Sequence, residues 1–89
     1  MKSLKDLTVI IVTYNTSQKV ILDCLNSISK DVNVLIVENS HSFINENLVM
    51  SKFPNVNIIC TGENLGYGKG NNFGINHVKT DYILILNPD

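Results

Sequence analysis

L-T-V-I-I-V-T (Leu7 to Thr13), Q-K-V-I-L-D-C-L-N-S-I-S (Gln18 to Ser29) and V-N-V-L-I-V (Val32 to Val37) follow one another with only short polar joints between them. The first run is rich in β-branched residues and lacks polar alternation, which fits a strand covered on both faces. In the second, Val20, Ile21, Cys24, Leu25 and Ile28 recur at helical spacing and give one apolar face. Thr16 or Ser17 supplies a cap for that helix. The third run is again short and apolar. Strand, helix, strand in this order predicts a parallel pair joined by a right-handed crossover.

The pattern continues outward from this unit. Phe43, Ile44, Leu48 and Phe53 allow a short amphipathic helix, which Pro54 prevents from continuing. Val56 to Cys60 reads as a third strand. Gly62 to Gly70 (G-E-N-L-G-Y-G-K-G) reads as a glycine-dense loop, and Asn71 to Lys79 as a helix carrying Phe73, His77 and Val78, although Gly74 is a poor helix former. Tyr82 to Leu86 is too short for an ordinary helix and is expected to be a buried strand that stops before Pro88. The alternation argues for an α/β layered fold with a mostly parallel sheet of about four strands flanked by helices.

Composition narrows the function classes. The chain has 89 residues, of which 44% are hydrophobic and 17% charged, as in soluble globular domains and unlike disordered segments. A net charge of −1, with scattered lysines, gives no electrostatic footprint for nucleic acid and no polybasic membrane anchor. No opening segment has the length of a secretory core or a membrane span, so a cytoplasmic location is expected. Cys24 and Cys60 lack the spacing of a zinc or redox motif, and core packing is expected for both.

The conspicuous polar clusters all follow strands: Tyr14-Asn15, Glu38-Asn39, Asn64 to Asn72, and Asn87 to Asp89. In a parallel sheet these positions share one edge, where open α/β sheets hold their ligands. Glu38 is suited to accept hydrogen bonds from a ribose or a base, or is a solvated charge at a strand end. Asn39 and Ser40 are read as turn-shaping residues. Asp89 is a hard oxygen ligand for magnesium or manganese, or a carboxylate capping a turn after Pro88. Asn87 can hydrogen-bond a hydroxyl or a phosphate.

The glycine loop is not a Walker A loop, because Gly68-Lys69 is followed by Gly70 and not by Ser or Thr. It also misses the G-x-G-x-x-G spacing by one residue and follows the third strand instead of the first. What it offers is a backbone that can approach a ligand closely, with Lys69 as a mobile positive charge, or simply a flexible surface loop. No serine or cysteine nucleophile system is present. His41 and His77 are candidate acids or ligands only in principle, and His77, in a helical pattern with no partner at metal spacing, is read as structural or solvent-facing.

Taken in order, V-T-Y-N (Val12 to Asn15), V-E-N-S (Val37 to Ser40), E-N-L-G-Y-G-K-G-N-N-F-G (Glu63 to Gly74) and L-N-P-D (Leu86 to Asp89) resemble glycosyltransferase family 2, with rhamnosyltransferase-like members the nearest in pattern. The resemblance covers essentially the whole chain. It implies a GT-A, Rossmann-like fold and a nucleotide-diphosphate-sugar donor, with inversion at the transferred sugar's anomeric carbon and a saccharide or lipid-linked acceptor. It also implies that Thr13, Tyr14 and Asn15 line the nucleotide pocket and that Glu38 stands where the family has an aspartate facing base or ribose. Asn64, Gly66, Lys69, Asn71 and Asn87 would border the donor. Asn87-Pro88-Asp89 matches the family's Asp-x-Asp position, with Asp89 as ligand to a divalent metal (Mg or Mn).

The family's catalytic base and acceptor site lie beyond that motif. Residues 1–89 are therefore expected to be the donor-binding half of a larger domain, inactive by itself, from a parent protein at the cytoplasmic face of the membrane. A sheet cut after its fourth strand is further expected to self-associate through the exposed edge. The contrasting expectation is a noncatalytic α/β nucleotide-binding or regulatory module, since fold alone does not fix function.

Overall fold

The computed structural model describes residues 3–88, so Asp89 lies outside the described residues. A single 3-10 turn, Leu4–Asp6, leads into β1 (Leu7–Thr13), followed by α1 (Gln18–Asn26), β2 (Asn33–Glu38), α2 (Glu46–Lys52), β3 (Val56–Cys60), α3 (Tyr67–Ile75) and β4 (Tyr82–Ile85). The strands form one sheet in the order β3-β2-β1-β4, and every adjacent pair is parallel. This is the α/β arrangement expected from the sequence.

The uninterrupted apolar runs of β1 and β2 have a direct packing cause. Val9, Ile11, Val34 and Ile36 join one buried cluster with Ile21, Cys24 and Leu25 of α1 and Val49 of α2. Their sequence neighbours Ile10, Val12, Leu35 and Val37 form a second cluster on the opposite face, against Phe73 and Val78. Successive strand side chains point to opposite faces, so a strand covered on both sides needs apolar residues at every position. Helices α1 and α2 cover one face, and α3 covers the other.

Ser17 caps α1, its hydroxyl accepting the Val20 N–H at 3.3 Å. Helix α3 begins four residues earlier than its apolar pattern suggests. The reason is that Gly70 and Gly74, one helical turn apart, are packing positions and not loop residues. A Cβ on Gly70 would stand 2.9 Å from Asn39 Nδ2 and 3.0 Å from Val12 Cγ1, and one on Gly74 would stand 2.8 Å from Val37 Cγ2. The missing side chains let the helix backbone lie directly on the sheet.

Three other expectations are corrected. Strand β4 is not buried: Tyr82, Ile83, Leu84 and Ile85 are 53%, 38%, 50% and 43% exposed, because β4 is an edge strand of the described sheet. Cys60 is exposed at the end of the other edge strand, β3, whereas Cys24 is buried as expected. Ile44 precedes α2 and is 87% exposed; Val49 takes the core position that the pattern offered to Ile44. No helix among the described residues is long and apolar enough to cross a membrane.

Candidate functional site at the carboxyl edge of the sheet

Because β1, β2 and β3 step outward in one direction while β4 pairs on the far side of β1, the chain reverses its course between β1 and β4. In open α/β sheets such a reversal leaves a crevice beyond the strand ends, where ligands bind. Tyr14 and Asn15 leave β1 at this point. Asn87 and Pro88 leave β4 on the same edge, since β4 runs parallel to β1 and the Leu86 N–H still reaches the Ile10 carbonyl at 2.9 Å.

Glu38 is the centre of the first network. Only 1% exposed, it lies opposite Thr13 in the parallel ladder. The Thr13 hydroxyl donates to Oε1 at 2.7 Å, while Oε2 accepts the Ser40 hydroxyl at 2.6 Å and the Asn15 main-chain N–H at 3.2 Å. Asn15 has φ 50, a left-handed conformation that Asn tolerates better than most residues. A buried carboxylate needs such donors to offset its lost hydration. Glu38 is therefore not a solvated strand-end charge. Three of its roughly four acceptor positions are used within the protein, which leaves about one for a ligand.

A second network joins β2 to the glycine segment. The Asn39 main-chain N–H donates to the Thr13 carbonyl at 2.8 Å. Its side-chain Nδ2 donates to the Gly66 carbonyl at 3.0 Å, and its Oδ1 lies 3.1 Å from the Thr61 hydroxyl. Asn64 closes a local turn, its Oδ1 accepting the Gly66 N–H at 3.1 Å. The sequence reading missed Asn39 because an Asn after a strand is the commonest of turn residues. Its signal would have been its burial, 2% exposed, and burial depends on the approach of Gly70 from another element.

Thr13, Asn15 and Glu38 are thus brought together directly, with Asn64 and Gly66 joined to the same edge through Asn39. Tyr14 and Lys69 are exposed. Asn71 is buried in α3, and its Oδ1 has no hydrogen-bond partner among the described residues. A cleft of about 250 Å³ opens beside Glu38, between the segment after β1 and the segment before α2, with Asn15, Gln18, Phe43 and Ile44 in its walls. Partial burial, then the charges of Glu38 and Glu46, hold the Cys60 thiol above its ordinary pKa, so it is a weak nucleophile near neutral pH. No group of three or more His, Cys, Asp or Glu side chains among the described residues could hold a metal ion.

The sequence pattern of Glycosyl transferase family 2 matches residues 8–89, which is nearly the whole chain. The chain belongs to that family. It is 34% identical over 90 residues to the low-salt glycan biosynthesis hexosyltransferase Agl10 of Haloferax volcanii, an alignment covering 97% of this chain and 28% of that protein. Among solved structures, S. aureus TarS superposes with a TM-score of 0.73 at 25% identity, over 93% of this chain and 16% of TarS. The structure of TarS 1–349 gives 0.71 at 20% identity, over 93% of this chain and 27% of that one, a likeness of fold. The chain spans about a quarter of the length of the curated relative it matches.

Proposed function

We propose that this chain is the donor-nucleotide half of a glycosyltransferase. The enzyme moves a sugar from a nucleotide-diphosphate-sugar donor to a saccharide or lipid-linked acceptor and inverts the anomeric carbon. The observation that carries the proposal is the Thr13–Glu38–Asn15 network, a buried carboxylate that ties the tips of β1 and β2 into one rigid rim. Rigid placement of polar groups before a ligand arrives lowers the ordering cost of binding.

In this reading the chain's residues bind and orient the donor and do no bond-breaking themselves. Asn15, Glu38 and the Asn64 to Asn72 segment border the nucleotide, with Tyr14 and Lys69 free to close on it from the exposed side. Asn87 contacts a hydroxyl or phosphate, and Asp89 is the residue we assign to a divalent metal, magnesium or manganese. Such an ion, when bound, neutralises charge on the departing diphosphate. The general base is supplied from outside these residues, so residues 1–89 bind donor without transferring sugar. The parent protein works in the cytoplasm, at the membrane face. The exposed apolar strand β4 gives the isolated chain a surface for self-association.

Calorimetric titration with uridine and deoxythymidine diphosphates, with and without manganese, tests the proposal. Saturable binding of at least one nucleotide is expected. Absence of binding to both, in the longest natural form of the protein, removes it.

A further inference from the structure

We infer that Asn39 is a positioning residue: its side-chain amide pins the first turn of α3 to the tip of β2, and thereby sets the glycine segment for the donor. The inference rests on the reading of the strand-tip edge as a donor site and adds to it a residue with no assigned role.

Three observations carry it. First, Gly66 precedes α3 with φ 84, and no side chain of its own caps the helix. The helix start is held from outside instead, because the Gly66 carbonyl accepts both the Gly70 N–H and the Asn39 Nδ2–H, each at 3.0 Å. Second, the other half of the same amide faces the Thr61 hydroxyl at 3.1 Å, just past β3. With the main-chain bond to Thr13, one residue ties the ends of β1, β2 and β3 to α3. Third, Gly70 leaves no room beside it, since a Cβ there would stand 2.9 Å from Asn39 Nδ2. The side chain is wedged at 2% exposure, so the amide keeps a single orientation.

The chemistry singles out an amide. The position needs a donor toward Gly66, while its acceptor oxygen shares the single Thr61 hydroxyl proton with the Glu63 carbonyl, 2.6 Å from that hydroxyl. Asn39→Asp keeps the shape and the acceptor, but turns the donor into a second acceptor facing a carbonyl. It is the discriminating substitution.

Two measurements on the full-length protein decide the matter. Hydrogen exchange of the Gly70 amide, whose bond ends on the carbonyl that Asn39 holds, reports the positioning without any ligand. Titration with uridine and deoxythymidine diphosphates reports its use. In N39D, Gly70 exchange is expected to rise about tenfold or more beyond any rise in the amides in the middle of β1 and β2. Nucleotide affinity, measured where N39D is fully folded, is expected to fall about tenfold, the scale of one lost hydrogen bond, and the melting temperature falls as well, because the new carboxylate is buried against a carbonyl with no donor toward it. Thr61→Val, which removes the partner of Asn39 Oδ1 together with the Thr61 hydroxyl's local bonds to the Glu63 main chain, is expected to give the same pattern more weakly, and it stands in if N39D fails to fold. A rise in Gly70 exchange no larger than that of the mid-strand amides overturns the inference, and so does an unchanged nucleotide affinity in the folded variant. If the parent protein binds neither nucleotide, the donor reading falls, and Gly70 exchange alone decides whether Asn39 positions the segment.

Discussion

Gly74 of α3 and Val37 of β2 approach so closely that a Cβ on the glycine would lie 2.8 Å from Val37 Cγ2, with Ile10 Cγ2 at 3.1 Å. Val37 and Ile10 are both wholly buried in the middle of the sheet, so neither can swing aside into solvent. Alanine ordinarily stabilises a helix by up to about 1 kcal/mol over glycine. Overpacking in a filled core costs about 1–3 kcal/mol. The second effect wins here. Gly74→Ala is expected to lower stability by about 1–2 kcal/mol, or roughly 4–8 °C in melting temperature per kcal/mol for a domain of this size. Thermal unfolding followed by circular dichroism checks it; an unchanged or raised midpoint contradicts the packing account.

Glu38 gives a second prediction. Glu38→Gln preserves volume but replaces one accepting oxygen by an amide group, which faces the Thr13 hydroxyl or the Ser40 and Asn15 donors. Hydrogen bonds to charged groups contribute about 1.5–3 kcal/mol. A destabilisation of that order is expected in urea unfolding, with no change in the dependence on denaturant. Glu38→Asp is expected to be destabilised as well, since a side chain shorter by one methylene cannot reach all three donors.

Cys60 provides a pH signature. Its thiol is held above the ordinary range by partial burial first, then by Glu38 and Glu46. A thiol whose folded-state pKa is raised contributes stability that is full below its unfolded pKa and is lost as pH rises through the folded value. Stability is therefore expected to decline above about pH 8.5, the ordinary thiol value, and Cys60→Ser should flatten part of that decline. Glu38→Gln should speed alkylation of Cys60 at fixed pH by removing a negative charge. Identical alkylation rates in the two proteins contradict the electrostatic coupling.

Strand β4 is open to neighbours on its outer edge, with four consecutive apolar residues partly in water. Unprotected edges of this kind invite pairing between chains, and a charge on the edge discourages it. Light scattering of residues 1–89 is expected to show a mass that rises with concentration, and Ile83→Lys is expected to return it toward the monomer. A clean monomer at high concentration for unsubstituted residues 1–89 contradicts the expectation.

Much of this was legible in the sequence because the physics was local. Leu7–Thr13 and Val56–Cys60 end where turn and polar residues end them, and the continuous apolar runs of β1 and β2 announced strands covered on both faces. Helix α3 was displaced in the reading because glycines at positions 70 and 74 weaken a helix locally, and only contact with Asn39, Val12 and Val37 explains them. Strand β4 misled for the opposite reason: its apolar residues predict burial, but burial depends on what packs against them. In the site, the grouping of Thr13, Asn15 and Glu38 followed from parallel strands. The three donors that occupy Glu38, and the whole role of Asn39, come from contacts between residues distant in sequence.

The central claim, that the strand tips form one cradle for a nucleotide, is tested most directly by mapping the bound ligand. Titration of the isotope-labelled protein with uridine or deoxythymidine diphosphate, followed by backbone amide NMR, is expected to move the signals of Asn15, Glu38, Asn39 and Gly66 together and to leave those of Asn33 and Thr80, at the opposite end of the sheet, in place. Shifts confined to that opposite end, or no shifts at all, contradict the account.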